Sequence, residues 1–232
     1  MPAEGWYHPA AVTRILIACD FDGTITRHDT LHLIVNRFGD PAMWDTLEGP
    51  LRRGEITVEE AMQREFDSVR ASTDAVLDHL STAAGIRDGF PEFVRWAEDG
   101  GHRLVVTSNG FRVVIDHLLT EAGLAHLPVH SNMAEFSTDG ARLSWSDRGD
   151  RCTHCDRPCK RALVAELRDA QTDAVVLIGD GISDRCAAGV ADLVFARAHL
   201  AEFLTDDGIP FEPFEDFHTV RRRVESWLVE GA

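Results

Sequence analysis

Asp20-Phe21-Asp22-Gly23-Thr24 sets two carboxylates two residues apart, directly after the apolar run Ile15-Leu16-Ile17-Ala18-Cys19. Such a run reads as a buried strand, and side chains at i and i+2 leave its end toward the same side. One carboxylate can then attack an electrophile covalently while its neighbour moves a proton. Gly23 lets the backbone turn tightly against whatever the pair binds. Taken alone, Asp-Gly-Thr is also ordinary turn chemistry, so the rest of the chain decides.

Two more segments carry chemistry of the same kind. Thr107-Ser108-Asn109-Gly110 offers a hydroxyl and successive backbone amides ahead of a helical pattern, a cradle for an anion. Gly179-Asp180-Gly181-Ile182-Ser183-Asp184 spaces two carboxylates four apart, on one face of a starting helix. Four carboxylates aimed at one crevice cannot all ionise without a cation. Oxygen ligands beside a phosphate substrate point to Mg²⁺.

The elements that must hold these groups follow from periodicity. Apolar strand candidates recur at 14–19, 103–107, 173–178 and 191–195, with helical patterns such as 90–98 and 111–122 between them. That alternation predicts an α/β fold, a mostly parallel sheet with helices on both faces, and ligands bound beyond the carboxyl ends of the strands. Residues 30–86 break the alternation with polar, helix-like sequence and two turn signals, Asp40-Pro41 and Gly49-Pro50. Thr57 with Glu60 three residues on predicts a capping box and a helix start. The stretch reads as a helical insertion between the first two core strands.

Composition narrows the partners. A net charge of −16 over 232 residues opposes a nucleic-acid partner, which demands a basic surface. Arg221-Arg222-Arg223, flanked by Val220, Val224, Trp227 and Leu228, reads as the solvated face of an amphipathic helix. No apolar run reaches the roughly 18 residues that span a bilayer. Met1 to Thr13 carries no signal-peptide pattern, so a cytoplasmic location is expected. Five cysteines, an odd number, make a disulfide framework improbable.

The motifs in their order resemble the haloacid dehalogenase superfamily, in its phosphatase branch. That family carries Asp-x-Asp-x-Thr after the first strand, a Ser or Thr after the second, a lone Lys, and Gly-Asp-x-x-x-Asp. Here these fall on Asp20, Asp22 and Thr24, on Ser108, on Lys160 (the single lysine of the chain) and on Asp180 and Asp184. The resemblance implies a Rossmann-like core of residues 1–29 and 87–232 and a small helical cap of residues 30–86. It implies Asp20 as nucleophile and Asp22 as general acid and base. Ser108, Asn109 and Lys160 would bind phosphate. Mg²⁺ would sit on Asp20, Asp22 and Asp180, with Asp184 ordering its waters. The substrate would be a small phosphorylated metabolite.

The insertion resembles the cap of the phosphoserine-phosphatase-like subfamily. Asp29 falls where those enzymes grip a substrate amine, although it also suits a helix N-cap. Glu65 falls where they carry a carboxylate-gripping arginine, which disfavours phosphoserine. Asp-Phe-Asp-Gly-Thr-Ile-Thr at 20–26, the cysteine-rich segment ending in Cys159-Lys160, and Ala191 to Arg197 are most similar to methionine-salvage phosphatases of that subfamily. Phosphatases of phosphorylated amino alcohols share the cysteines. A catalytically silent homologue, or a phosphotransferase, is the competing reading.

Cys152-x-x-Cys155-x-x-x-Cys159 has a spacing that can present three thiolates to a structural Zn²⁺, with His154, Cys186 or a distant histidine as fourth ligand. Buried reduced thiols or an oxidation-prone pair fit the same spacing. Trp44 reads as packing, and Arg52 as part of a solvated helix face.

Overall fold

The structure, a computed structural model, describes residues 14–146, 152 and 159–230. The chain opens with strand β1 (Ile15–Cys19) and a tight turn, Phe21–Ile25. Four helices follow: α1 (Thr30–Phe38), α2 (Met43–Arg52), α3 (Val58–Phe66) and α4 (Thr73–Ala83). Next come α5 (Phe90–Asp99), β2 (Arg103–Phe111), α6 (Arg112–Glu121), and a hairpin of β3 (Val129–Ser137) and β4 (Gly140–Ser144). The remainder comprises α7 (Lys160–Leu167), β5 (Ala174–Gly179), α8 (Ile182–Ala188), β6 (Leu193–Ala196), α9 (Ala198–Asp207), β7 (Glu212–Pro213) and α10 (Phe217–Glu230). Among the described residues no helix is long and apolar enough to cross a membrane.

The strands form one sheet in the order β4-β3-β2-β1-β5-β6-β7, parallel except for the β3–β4 pair. Because successive strand residues face opposite ways, β1 feeds two cores. Ile15, Ile17 and Cys19 join the larger cluster with Phe90, Phe93, Phe111 and Phe217, while Leu16 and Ala18 join the smaller one with Leu163, Val164 and Leu200. The arginine-bearing segment is helical as expected: in α10, Val220, Val224 and Trp227 are buried and Arg221 and Arg222 exposed.

The insertion is rooted in the sheet's own interior. Ile34, Phe66, Val76 and Leu80 belong to the larger cluster, and Phe66 meets Phe111 edge-on at 4.9 Å. A two-stranded neck ties its ends together, with Arg27 N donating to Gly85 O at 2.8 Å and Arg87 N to Ile25 O at 2.8 Å. The capping box at Thr57 and Glu60 starts α3 as its sequence dictates. Gly49-Pro50, which reads as a turn, instead lies inside α2. Leu47 and Leu51, one helical turn apart and both buried, hold that segment helical past the proline.

Candidate active site

Since β1 lies between β2 and β5, the segments that leave their carboxyl ends must meet. The turn after β1 is the tightest of them. Gly23 adopts φ 78°, and a Cβ there would collide with the Asp180 carboxylate, so only glycine serves. The carbonyls that this turn releases from regular bonding are caught by one buried guanidinium. Arg87 donates from Nη2 to Gly23 O at 2.6 Å and Thr26 O at 2.9 Å, and from Nε to Thr24 O at 2.7 Å. Arg197 adds a bond from Nη1 to Gly23 O at 2.7 Å. Burial, and then repulsion from Arg197, pull the Arg87 pKa down to about 10, which still leaves it charged at neutral pH.

Carboxylate oxygens of Asp20, Asp180 and Asp184 all lie within 4.8 Å of one another. Lys160, wholly out of solvent at the start of α7, sets Nζ 2.5 Å from Asp20 Oδ1 and 2.7 Å from Asp184 Oδ1. Burial alone would strip its proton, but Asp184 and Asp20 outweigh that and raise its pKa. Asp184 Oδ2 accepts the amides of Asp180 at 3.3 Å and Gly181 at 3.2 Å, so one carboxylate clamps both the lysine and the loop after β5. Burial lifts Asp184 to about 6, against the pull of Lys160. Asp180 is pushed well above the usual range by burial and by Asp20 and Asp184. A hard divalent cation would relieve that repulsion, and the oxygen donors of Asp20 and Asp180, with Asp184 beside them, suit Mg²⁺.

Asp22 is held from two sides, by Ser108 Oγ donating to Oδ2 at 2.8 Å and by the Thr30 hydroxyl donating to Oδ1. Burial, then repulsion from Asp29, raise it to about 6 despite both hydroxyls. The segment 107–110, expected as an anion cradle ahead of a helix, forms the end of β2 directly before α6, and its pairing with β3 shifts register between Thr107 and Phe111. A Cβ on Gly110 would strike the Asp22 carboxylate, so only glycine leaves that group where it stands. Asn132 steadies the irregularity, donating from Nδ2 to Asn109 O at 2.7 Å.

Above these groups opens a cleft of about 400 Å³, with Asp20, Asp22, Asn109 and Asp180 on its floor. Leu31, Trp44, Leu51 and Met62 of the insertion and Phe203 of α9 form apolar wall. Trp44 therefore faces the site and is not solely packing. Arg52 stands at the rim, bonded to Glu48 at 3.0 Å and Glu202 at 3.3 Å, so it joins the insertion to α9 and is more than a solvated residue. Asp29 caps α1, accepting from Leu31 N at 2.8 Å and His32 N at 3.1 Å, and also lines the cleft. Glu65 shares the wall; burial and then Asp29 raise it to about 7.

Cys152 and Cys159 meet Cys186 of α8, with their sulfurs within 4.8 Å of one another. Cys155 and His154 lie outside the described residues. Sequence reasoning missed Arg87, Arg197, Thr30 and Asn132 as supports of the site. Only Arg197 carried a signal, as the last residue of the Ala191–Arg197 stretch. Arg87 and Asn132 serve through contacts distant in the chain, and Thr30 through one eight residues back, to Asp22.

The model of haloacid dehalogenase-like hydrolases matches residues 17–189. A 2-hydroxy-3-keto-5-methylthiopentenyl-1-phosphate phosphatase of Brevibacillus brevis is 32% identical over 211 residues, covering 90% of this chain and 94% of that protein. A phosphatase of the same name from Bacillus cereus is 30% identical, covering 92% and 97%. Among solved structures, a phospho-aspartyl intermediate analogue of phosphoserine phosphatase superposes with a TM-score of 0.69 at 16% identity, covering 91% of this chain and 99% of that one. A substrate-bound phosphoserine phosphatase gives 0.68 at 14% identity, covering 90% and 98%. The three strand ends, the sheet that brings them together and these likenesses agree that the chain belongs to the haloacid dehalogenase-like hydrolases.

Proposed function

We propose that this protein is a Mg²⁺-dependent phosphomonoesterase working through an aspartyl-phosphate on Asp20, and that its substrate is 2-hydroxy-3-keto-5-methylthiopentenyl-1-phosphate. The observation that carries the reaction is the cluster of Asp20, Asp180 and Asp184 oxygens, with Lys160 bound to Asp20 and Asp184, where Asp20 and Asp180 reach the floor of a cleft with apolar walls.

Asp20 attacks phosphorus with a carboxylate oxygen, and the ester P–O bond breaks. Asp22, whose pKa near 6 lets both its forms exist around neutrality, gives its proton to the departing oxygen. In the second half Asp22 takes a proton from water, the water oxygen attacks phosphorus, and Asp20 leaves as carboxylate with inorganic phosphate freed. Lys160, Ser108 and Asn109 hold the phosphoryl oxygens, and Asp184 keeps Lys160 in place. Mg²⁺, held by Asp20, the Asp22 carbonyl and Asp180, would neutralise phosphoryl charge. Residues 30–86 act as the cap that excludes water and selects the substrate.

The walls support this substrate. Leu31, Leu51, Met62 and Phe203 suit an uncharged, methylthio-ended tail. Glu65, neutral for much of the time at pH 7, can donate to a keto or hydroxyl oxygen. Phosphoserine would bring a carboxylate toward Asp29 and Glu65, a like-charge contact. A phosphorylated amino alcohol is the second reading, favoured by those same two acids, because an ammonium group would draw both into the ionised form.

Phosphate release with Mg²⁺ across the methylthiopentenyl ester, phosphoserine, phosphocholine and phosphoethanolamine tests the assignment, with Asp20→Asn run alongside. Preference for the methylthiopentenyl ester, lost in the variant, is expected. Preference for an amino-alcohol ester transfers the substrate to the second reading. Full turnover by a clean, folded Asp20→Asn preparation would overturn the nucleophile.

A further inference from the structure

We infer that Cys152, Cys159 and Cys186 form a structural Zn²⁺ site, separate from the carboxylate centre, that locks the Lys160 helix to the helix carrying Asp184. The three sulfurs lie within 4.8 Å of one another, although Cys186 is distant in sequence from the other two. The Cys152 and Cys186 sulfurs are 3.7 Å apart. A tetrahedral zinc with bonds of about 2.3 Å places its thiolate sulfurs about 3.8 Å apart, whereas a disulfide needs about 2.05 Å. A disulfide would also employ only two of three gathered thiols. Zinc employs all three and leaves one position for a further ligand.

The surroundings suit a thiolate cluster. Cys152 is buried, and Cys159 and Cys186 share a second cleft with Arg161, whose positive charge favours the deprotonated sulfurs, and with Arg185, which is paired to Asp207. Cys159 is the N-cap residue of α7, where the helix dipole acts in the same direction.

The placement gives the metal a purpose. Cys159 directly precedes Lys160, and Cys186 follows Asp184 by two residues on α8. Bridging the two cysteines fixes the separation at which Lys160 Nζ meets Asp184 Oδ1. The zinc touches no reacting atom; it positions Lys160 through the start of α7.

The test is metal content of the full chain, purified without chelators and measured by mass spectrometry. About one equivalent of zinc is expected, falling to under about a tenth in Cys152→Ser and in Cys186→Ser. Asp180→Asn should retain it, which separates this site from the carboxylate centre. Should the serine variants fail to fold, Co²⁺ exchanged into the wild-type chain reads the same question. Tetrahedral visible bands with thiolate-to-cobalt charge transfer support the site, and their absence opposes it. Zinc missing from the wild type, or zinc kept by Cys186→Ser and lost from Asp180→Asn, would overturn the proposal. So would quantitative formation of a Cys152–Cys186 disulfide in the chain as isolated under reducing conditions. None of these readings depends on the substrate or on turnover.

Discussion

Lys160 and Asp184 form a fully buried ion pair, with Nζ 2.7 Å from Oδ1 and neither side chain exposed. A buried charge that loses its partner is far costlier than the pair is worth. Asp184 moreover ties the Asp180 and Gly181 amides to the same point.

Asp184→Asn should therefore damage both stability and turnover. Loss of about 3–5 kcal/mol of unfolding free energy is expected, read by urea denaturation at pH 7. The turnover number should drop with it. A variant within 1 kcal/mol of wild type, by the ~3 kcal/mol scale just given, would show that Asp20 alone satisfies the lysine.

Gly110→Ala puts a methyl group against the Asp22 carboxylate. Displacing a reacting group by about 1 Å can cost on the order of 10²-fold in rate. The turnover number should fall by that order with the circular dichroism spectrum unchanged. Unaltered turnover would mean that Asp22 has another productive position.

Arg87→Met removes the donors to Gly23 O, Thr24 O and Thr26 O together. Gly23 O keeps its bond from Arg197, but Thr24 O and Thr26 O lose that donor, and each buried carbonyl left without a partner costs about 1–3 kcal/mol. Thermal unfolding should begin well below that of wild type, and Arg87→Lys should rescue only in part, because an ammonium cannot span three carbonyls in one plane. Equal melting of all three proteins would remove Arg87 from its supporting role.

Glu65 supplies a pH signature. Its pKa is raised from 4.5 to about 7 in the folded chain by burial and by Asp29. A raised acid contributes full stability below its unfolded pKa and loses it as pH rises through the folded pKa. At about 1.4 kcal/mol per pH unit, wild type should lose up to roughly 3 kcal/mol between pH 4.5 and 7 from this group. Glu65→Gln should thus gain on wild type as pH climbs from 5 to 8, measured by urea midpoints. Parallel curves would show that Glu65 is solvated in solution.

Much of this was legible in the sequence because it is local. Apolar runs named β1, β5 and β6, the Thr57–Glu60 spacing named the start of α3, and the order of motifs named the family. The hairpin β3–β4 escaped notice because β3 alternates exposed and buried residues, β4 buries none fully, and neither carries a continuous apolar run. Gly49-Pro50 misled because buried neighbours overrode a local turn preference. Trp44 and Arg52 gained their place in the cleft only from how the insertion folds over the floor. Arg87 could not be read at all: nothing in its own neighbourhood says that it will hold carbonyls some sixty residues earlier in the chain.

The solitary, sealed lysine has a practical consequence. Every other basic side chain besides histidine is arginine, so the surface offers no ε-amine to acylating reagents, aldehyde fixatives or lysine-directed cross-linkers. Acylation of a side-chain amine can occur only when the α7 start leaves Asp20 and Asp184. The yield of acylated Lys160 peptide after a timed pulse therefore counts opening events of the carboxylate cluster around it, with no label introduced by design.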